Sequence, residues 1–329
     1  MKLPREFIRL PLTFDAERMA AEVADLPAQA WQAHPLNYSG NSAVPLVSVN
    51  GEANDFFAGP MAETPWLKRS PYLRQMLASF GVVFGRSRLM GLAGGSEVPL
   101  HCDINYHWFS RVRIHVPIVT WPDVRFHCHD QAIHMAAGEA WIFDNWKVHR
   151  VVNPTSGLRV HLVADTLGSS SFWNLVDDVL AADQPGSEAP AMRQVPFDDS
   201  SLPELLLEQV NTPDVMHPSE ANNLTEDLIR DLEASGDQNP PIQVRSFVRA
   251  VRAFCQDWTA LWARFGDARE AWPQYEQRRD ALLRELVAMR KPLVLASNER
   301  VAQKVMLSRV LVACVHRPLP GMNEIQFGG

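Results

Sequence analysis

Between Gly81 and Val163 the chain is cut by Gly, Pro and Asn-Pro punctuation into short runs rich in Val, Ile and Trp. Gly81-Val-Val-Phe84, Arg113-Ile-His-Val-Pro-Ile118 and Leu158-Arg-Val-His-Leu-Val163 are strand signals at short spacing, the pattern of a barrel or jelly roll. Ahead of them the spacing predicts helices over Phe14 to Leu26 and Ser70 to Phe80. The second has Ser70 in the capping position and Pro71 at the first turn. Both would pack outside a small barrel.

The segment Ala181 to Ser201 carries three prolines among small and acidic residues and reads as a linker. Beyond it the texture turns helical, with apolar residues at Leu202, Leu205, Leu206 and Val210, then Leu228, Ile229 and Leu232. Further helices are expected over Val244 to Phe265, Ala271 to Met289 and Asn298 to Val315; Gly266 follows the first, and the others stop short of Pro292 and Pro318. The expected organisation is therefore residues 1–180, a linker over 181–201, and a helical domain over 202–329.

At 329 residues the chain is long enough for two domains of ordinary size, and 46% apolar with 21% charged residues is a globular balance. No apolar run reaches about 20 residues and the N-terminus has no secretory h-region, so the expectation is a cytoplasmic protein that does not enter the membrane. Cys102, Cys128, Cys255 and Cys314 are scattered, as reduced thiols are, and form neither a disulfide framework nor a thiolate zinc site. A net charge of -7 gives no general attraction to nucleic acid or anionic lipid.

Eight of the 11 histidines fall between His101 and His161, which concentrates the chemistry there. In a strand, residues i and i+2 share a face, so His101 and Asp103 can reach one ion while Cys102 points away. The third ligand has to come from elsewhere in the fold. Two imidazoles and one carboxylate on one face of an octahedron leave three positions open, which suits Fe(II) that must also bind a co-substrate and dioxygen. Arg159 lies in an apolar strand, where a guanidinium requires an anion; a dicarboxylate co-substrate or an internal salt bridge would supply one.

Three further segments carry a resemblance: Arg111-Val-Arg-Ile-His115, Gly138-Glu-Ala-Trp-Ile-Phe-Asp-Asn-Trp-Lys-Val-His149 and Ser156-Gly-Leu-Arg159-Val-His-Leu-Val-Ala-Asp165. Over residues 80 to 170 the chain resembles the aspartyl/asparaginyl β-hydroxylase family of Fe(II)/2-oxoglutarate dioxygenases, which includes bacterial proline cis-hydroxylases. The resemblance implies an α+β fold: a double-stranded β-helix of jelly-roll or cupin type with flanking helices, followed here by the C-terminal helical region. It implies Fe(II) on His101, Asp103 and His149, with Arg159 on the distal carboxylate of 2-oxoglutarate. Arg113 and His115 would contact its proximal carboxylate or the substrate, and Arg88 the substrate carboxylate. Asp103 departs from the animal aspartyl hydroxylase, which lacks the carboxylate, and Met90 stands where that enzyme has a serine.

Asn105, Tyr106, His107 and Trp108 follow the His-x-Asp motif; Trp108 is taken as a substrate-pocket aromatic, with a loop anchor as the other reading. His127, His129 and His134 could form a second metal site, although surface or hydrogen-bonded strand histidines are the simpler reading. Trp258, Trp262, Arg264 and Trp272 fit core packing at helical spacing, and the run Arg269 to Arg290 a solvated helix of ion pairs. The expected activity is hydroxylation of an unactivated carbon in a free amino acid or amino-acid derivative, with 2-oxoglutarate and O2 converted to succinate and CO2. The alternatives are hydroxylation of a side chain in a peptide or protein, and a non-catalytic sensor of metal or a small acid on the same fold. The helical region could support a homo-oligomer.

Overall fold

The structure is a computed structural model that describes all residues except 34–37, 185, 187, 290 and 317–329. Arg290 and Pro318, which end two expected features, lie outside the described residues. Two compact units are present: residues 1–102 with 110–211, and residues 103–109 with 212 onward.

The strands of the first unit are, in chain order, β1 (Phe7–Phe14), β2 (Gln32–Ala33), β3 (Asn41–Val49), β4 (Met61–Glu63), β5 (Phe84–Leu92) and β6 (Ser96–His101). There follow β7 (Val112–Val119), β8 (Arg125–Cys128), β9 (Gln131–Ile133), β10 (Glu139–Phe143), β11 (His149–Asn153), β12 (Arg159–Thr166) and β13 (Arg193–Val195). They form a nine-stranded sheet ordered β13-β1-β10-β7-β12-β5-β3-β2, with β4 beside β3, and a four-stranded sheet ordered β6-β11-β8-β9. The core is the expected double-stranded β-helix.

Alternation along the strands gives the large sheet two unlike faces. Leu10, Ile114, Val116, Leu162, Ala164 and Leu89 point to one side and join a core with Met19 and Val23 of α1 (Ala16–Ala24). Leu73, Met76 and Leu77 on a second helix and Phe172 and Val176 on a third enter the same core. Each large apolar side chain so buried contributes about 1.5–3 kcal/mol. The other face turns toward the small sheet: Phe7, Phe143 and Leu92 meet Phe126, Cys128 and Val151, with Phe126 and Phe143 rings 4.7 Å apart. That apolar layer covers only part of the inner face, and the rest is ionic.

Several local expectations change. The helix expected from Phe14 begins at Ala16, because β1 runs through Phe14 and Asp15 caps α1 by accepting from Arg18 N at 3.0 Å. After α2 (Pro65–Lys68), α3 (Pro71–Ala78) starts at Pro71, yet Ser70 makes no capping bond. The Glu22 carboxylate of α1 accepts instead from Tyr72 N and Leu73 N, at 2.7 and 2.9 Å. A carboxylate at a helix N-terminus meets orphan donors and the positive end of the dipole together.

The expected linker is tied to the first unit. A short helix, α4, spans Tyr106–Ser110, and α5 (Ser170–Ala181) runs up to the segment. Within it β13 pairs in parallel with β1, and Val195 O accepts from Tyr72 Oη at 2.6 Å. The boundary accordingly falls after Asn211 rather than at Ser201. Residues 202–211 are extended rather than helical: Phe84 N donates to Leu206 O and Glu208 N to Phe84 O, at 2.8 and 2.9 Å. The leucine spacing that suggests a helix is misleading, since Leu202, Leu206 and Val210 are exposed and only Leu205 is buried.

In the second unit, α6 (Pro218–Glu233), α7 (Pro241–Phe265) and α8 (Trp272–Val287) enclose Trp258. Its ring lies 5.1 Å from Phe254 and 4.7 Å from Tyr275, and its indole N–H donates to Met216 O at 2.8 Å. Trp258 and Trp272 are buried, while Trp262 is only partly so. The single helix expected over Asn298 to Val315 is instead α9 (Ala302–Met306) followed by a π-helical turn, Leu307–Leu311. The turn carries Arg309, whose guanidinium pairs with Asp227 at 2.9 Å and is 1% exposed. Among the described residues no helix is long and apolar enough to cross a membrane.

Candidate functional site

Strands β6 and β11 pair antiparallel with His149 directly opposite His101, which brings the rings to 4.1 Å between centroids. His101 Nδ1 lies 2.7 Å from Pro99 O and His149 Nδ1 2.8 Å from Lys147 O. A carbonyl only accepts, so both Nδ1 atoms carry the hydrogen and both Nε2 lone pairs are available for a metal. β6 ends at His101; Asp103 lies just beyond the strand, yet its carboxylate comes within the same group. One ligating atom from each of His101, Asp103 and His149 lies within 4.8 Å of the others. Phe143, its ring 4.9 Å from that of His149, walls one side. Two imidazoles oriented by Nδ1 hydrogen bonds to carbonyls, with one carboxylate, fit a first-row divalent ion with open positions.

The inner face of the large sheet carries the remaining candidates. Val163 of β12 stands in register with Arg88 of β5 and His115 of β7, Asp165 with Arg113, His161 with Met90, and Arg159 with Leu92. Arg159 is 3% exposed, and its Nε has no hydrogen-bond acceptor among the described residues. Burial pushes its pKa down to about 9, with no carboxylate opposing the shift. His115 and His161 are buried as well, and neither ring nitrogen of either has a partner among the described residues. Burial first, then the Arg159 charge, holds both pKa values well below the usual histidine range. Both imidazoles are therefore neutral at pH 7, each with one N–H and one lone pair to offer. His115 also contacts Phe143, at 5.3 Å between ring centroids. Through that ring the polar patch continues to His149.

Arg88 and Arg113 do meet acids. Asp55 Oδ1 accepts from Arg88 Nη1 at 2.5 Å and from Arg86 Nη1 at 2.6 Å. The Asp165 carboxylate lies 3.6 Å from Arg113 Nε and 3.7 Å from Arg86 Nε. Burial, and next the neighbouring Arg86 charge, push Arg88 down to about 9. Sequence reasoning missed Arg86, Asp55, Asp165 and His161 as members of this patch. The Arg86-x-Arg88 and Arg159-x-His161 spacings put each missed partner on a known face, whereas nothing in the polar loop around Asp55 marks it.

Trp108 sits in α4, 3% exposed, with its ring edge on His107 at 4.6 Å between centroids. His127, His129 and His134 do not gather: His134 Nδ1 lies 3.3 Å from Val124 O, and His129 is an exposed residue beside Asp130. His129, Asp130 and Glu6 could bring ligating atoms together, but Glu6 is paired with Lys147.

Residues 10–168 match the family model of aspartyl/asparaginyl beta-hydroxylases. No curated protein matches the chain. Among solved structures it is similar to a 2OG-Fe(II) oxygenase family oxidoreductase from Burkholderia pseudomallei, with 14% identity, 47% of this chain and 79% of that chain covered, and a TM-score of 0.35. A prolyl-4-hydroxylase from Pseudomonas putida is 12% identical, with 50% and 92% covered and a TM-score of 0.34. A cupin domain from Bordetella pertussis is 17% identical, with 25% and 79% covered and a TM-score of 0.21.

Proposed function

We propose, from the match of residues 10–168 to the family model of aspartyl/asparaginyl beta-hydroxylases, an Fe(II)/2-oxoglutarate-dependent hydroxylase acting on an unactivated carbon of a free amino acid or amino-acid-derived substrate. His101, Asp103 and His149 would hold the iron. When bound, iron and 2-oxoglutarate supply the oxidising chemistry: O2 is consumed, 2-oxoglutarate leaves as succinate and CO2, and one oxygen atom enters a C–H bond.

The protein's own residues position and shield. Arg159 holds the distal carboxylate of 2-oxoglutarate in a bidentate, charge-assisted contact, and Arg113 with His115 orients the proximal end. Arg88 takes the carboxylate of the substrate. Phe126, Phe143, Val151 and Cys128 form a dry wall beside the metal ligands, which strengthens each of these contacts and keeps water from the reacting carbon.

The observation that carries this reading is Arg159. It is a buried guanidinium on the inner face without a carboxylate acting on it, in the same unit as two metal-ready imidazoles. Iron- and oxygen-dependent succinate formation, measured over a panel of amino acids and peptides, tests it. Arg159→Ala is expected to abolish turnover at moderate 2-oxoglutarate; normal turnover by that variant would overturn the assignment. Preference for peptides over every free amino acid would move the substrate to the peptide class.

A further inference from the structure

We propose that Asp55 is a specificity-determining residue, binding the ammonium group of a zwitterionic α-amino acid while Arg88 binds its carboxylate. The inference rests on the hydroxylase reading above and names the substrate head group.

Arg88 is 8% exposed and spends Nη1 on Asp55; among the described residues Nε and Nη2 have no acceptor. That leaves the edge of the guanidinium that fits a carboxylate in bidentate fashion. Arg86, by contrast, is engaged on several sides, by Asp55, by Asp165 and by the Phe57 ring 4.0 Å from its guanidinium carbon. Asp55 Oδ1 accepts from both arginines, while Oδ2 has no donor among the described residues. Its side chain is 36% exposed, against 3% for Asp165, so Asp55 is the acid of the cluster that a ligand from solvent can reach.

The 2.5 Å contact places a carboxylate-binding edge and an ammonium-binding oxygen side by side. In an α-amino acid the two charged groups are separated by one carbon, which suits that alternation. Charge agrees. With Arg113 committed to the co-substrate, Arg86 and Arg88 balance Asp55 and Asp165, so a ligand of zero net charge adds no uncompensated charge to a buried site. An N-acylated amino acid would bring its carboxylate without the ammonium and leave Asp55 Oδ2 facing an amide.

The test uses the full chain and its Asp55→Asn variant with three pools: the proteinogenic L-amino acids, their N-acetyl derivatives and their des-amino acids. Succinate formation is measured with Fe(II) and 2-oxoglutarate, and the melting temperature is measured with Mn(II) replacing iron. The wild type is expected to favour the free pool by about tenfold or more over the other two, and Asp55→Asn to lose most of that margin through poorer use of the free pool. Asp55→Glu should restore part of it.

Equal use of N-acetylated acids by the wild type overturns the proposal, as does undiminished discrimination by Asp55→Asn or a free pool that neither binds nor reacts. A free pool that raises the melting temperature through Asp55 but yields no succinate refutes the hydroxylase reading and supports this one. Should Asp55→Asn fail to fold, the wild-type comparison of free and N-acetylated pools decides.

Discussion

At the scale of single residues the inner face combines paired ions with three buried groups, Arg159, His115 and His161, that keep nitrogens without a hydrogen-bond partner among the described residues. Arg159 is the plainest case: its charge is desolvated and its pKa falls to about 9. Removing that charge should relieve the ligand-free protein, so Arg159→Leu is expected to raise the melting temperature without 2-oxoglutarate while losing the stabilisation that 2-oxoglutarate gives the wild type; differential scanning fluorimetry reads both. His161 behaves differently with pH. Its folded pKa lies well below the unfolded value near 6.5, so between the two the unfolded chain binds more protons and stability falls as pH drops. The loss is about 1.4 kcal/mol per pH unit in that window, and His161→Leu should flatten urea-melt stability below pH 6.5. Arg159 was legible because a lone cation in an apolar strand is conspicuous. His161 was not, because an imidazole on the same strand reads equally well as core.

Among the elements, two connections carry more than their sequence suggests. Glu208, on the extended stretch that follows β13, is 4% exposed and grips Arg111 at 2.7 and 3.0 Å. Glu208→Gln should cost about 3–5 kcal/mol in denaturant unfolding, the penalty for breaking a buried pair. Gly138, just ahead of β10, has φ +83°, and a Cβ there would lie 2.5 Å from Phe14 O. Gly138→Ala should cost more than 1 kcal/mol and loosen β1 from β10, seen as faster amide exchange across that pair. The strands around Arg113 and Arg159 were readable because apolar and polar residues alternate there with period two. Residues 202–211 were not: their leucines fall at helical intervals, and only tertiary hydrogen bonds to Phe84 and Met61 fix them as extended. The π turn that carries the buried Arg309 is equally invisible in the sequence.

For the whole molecule, the distribution of polarity matters more than the strand count. The large sheet buries an ordinary apolar face under helices and turns an ionic face inward, where Arg159, His115 and His161 carry ring or guanidinium nitrogens without a hydrogen-bond partner among the described residues. Mn(II) with 2-oxoglutarate should therefore raise the melting temperature well beyond either alone. Saturation to about 100 times Kd corresponds to about 2.7 kcal/mol for each ligand, and a chelator should reverse the metal's share.

The pairing of His149 with His101 across neighbouring strands also bears on how this chain tolerates change. The two imidazoles share one site only while the strands keep their reading frame. A one-residue slip of β6 against β11 would leave a ladder in place, yet it would turn one ring to the opposite side of the sheet. Length variation in this lineage should thus collect in the turns around residues 121–123 and 154–158.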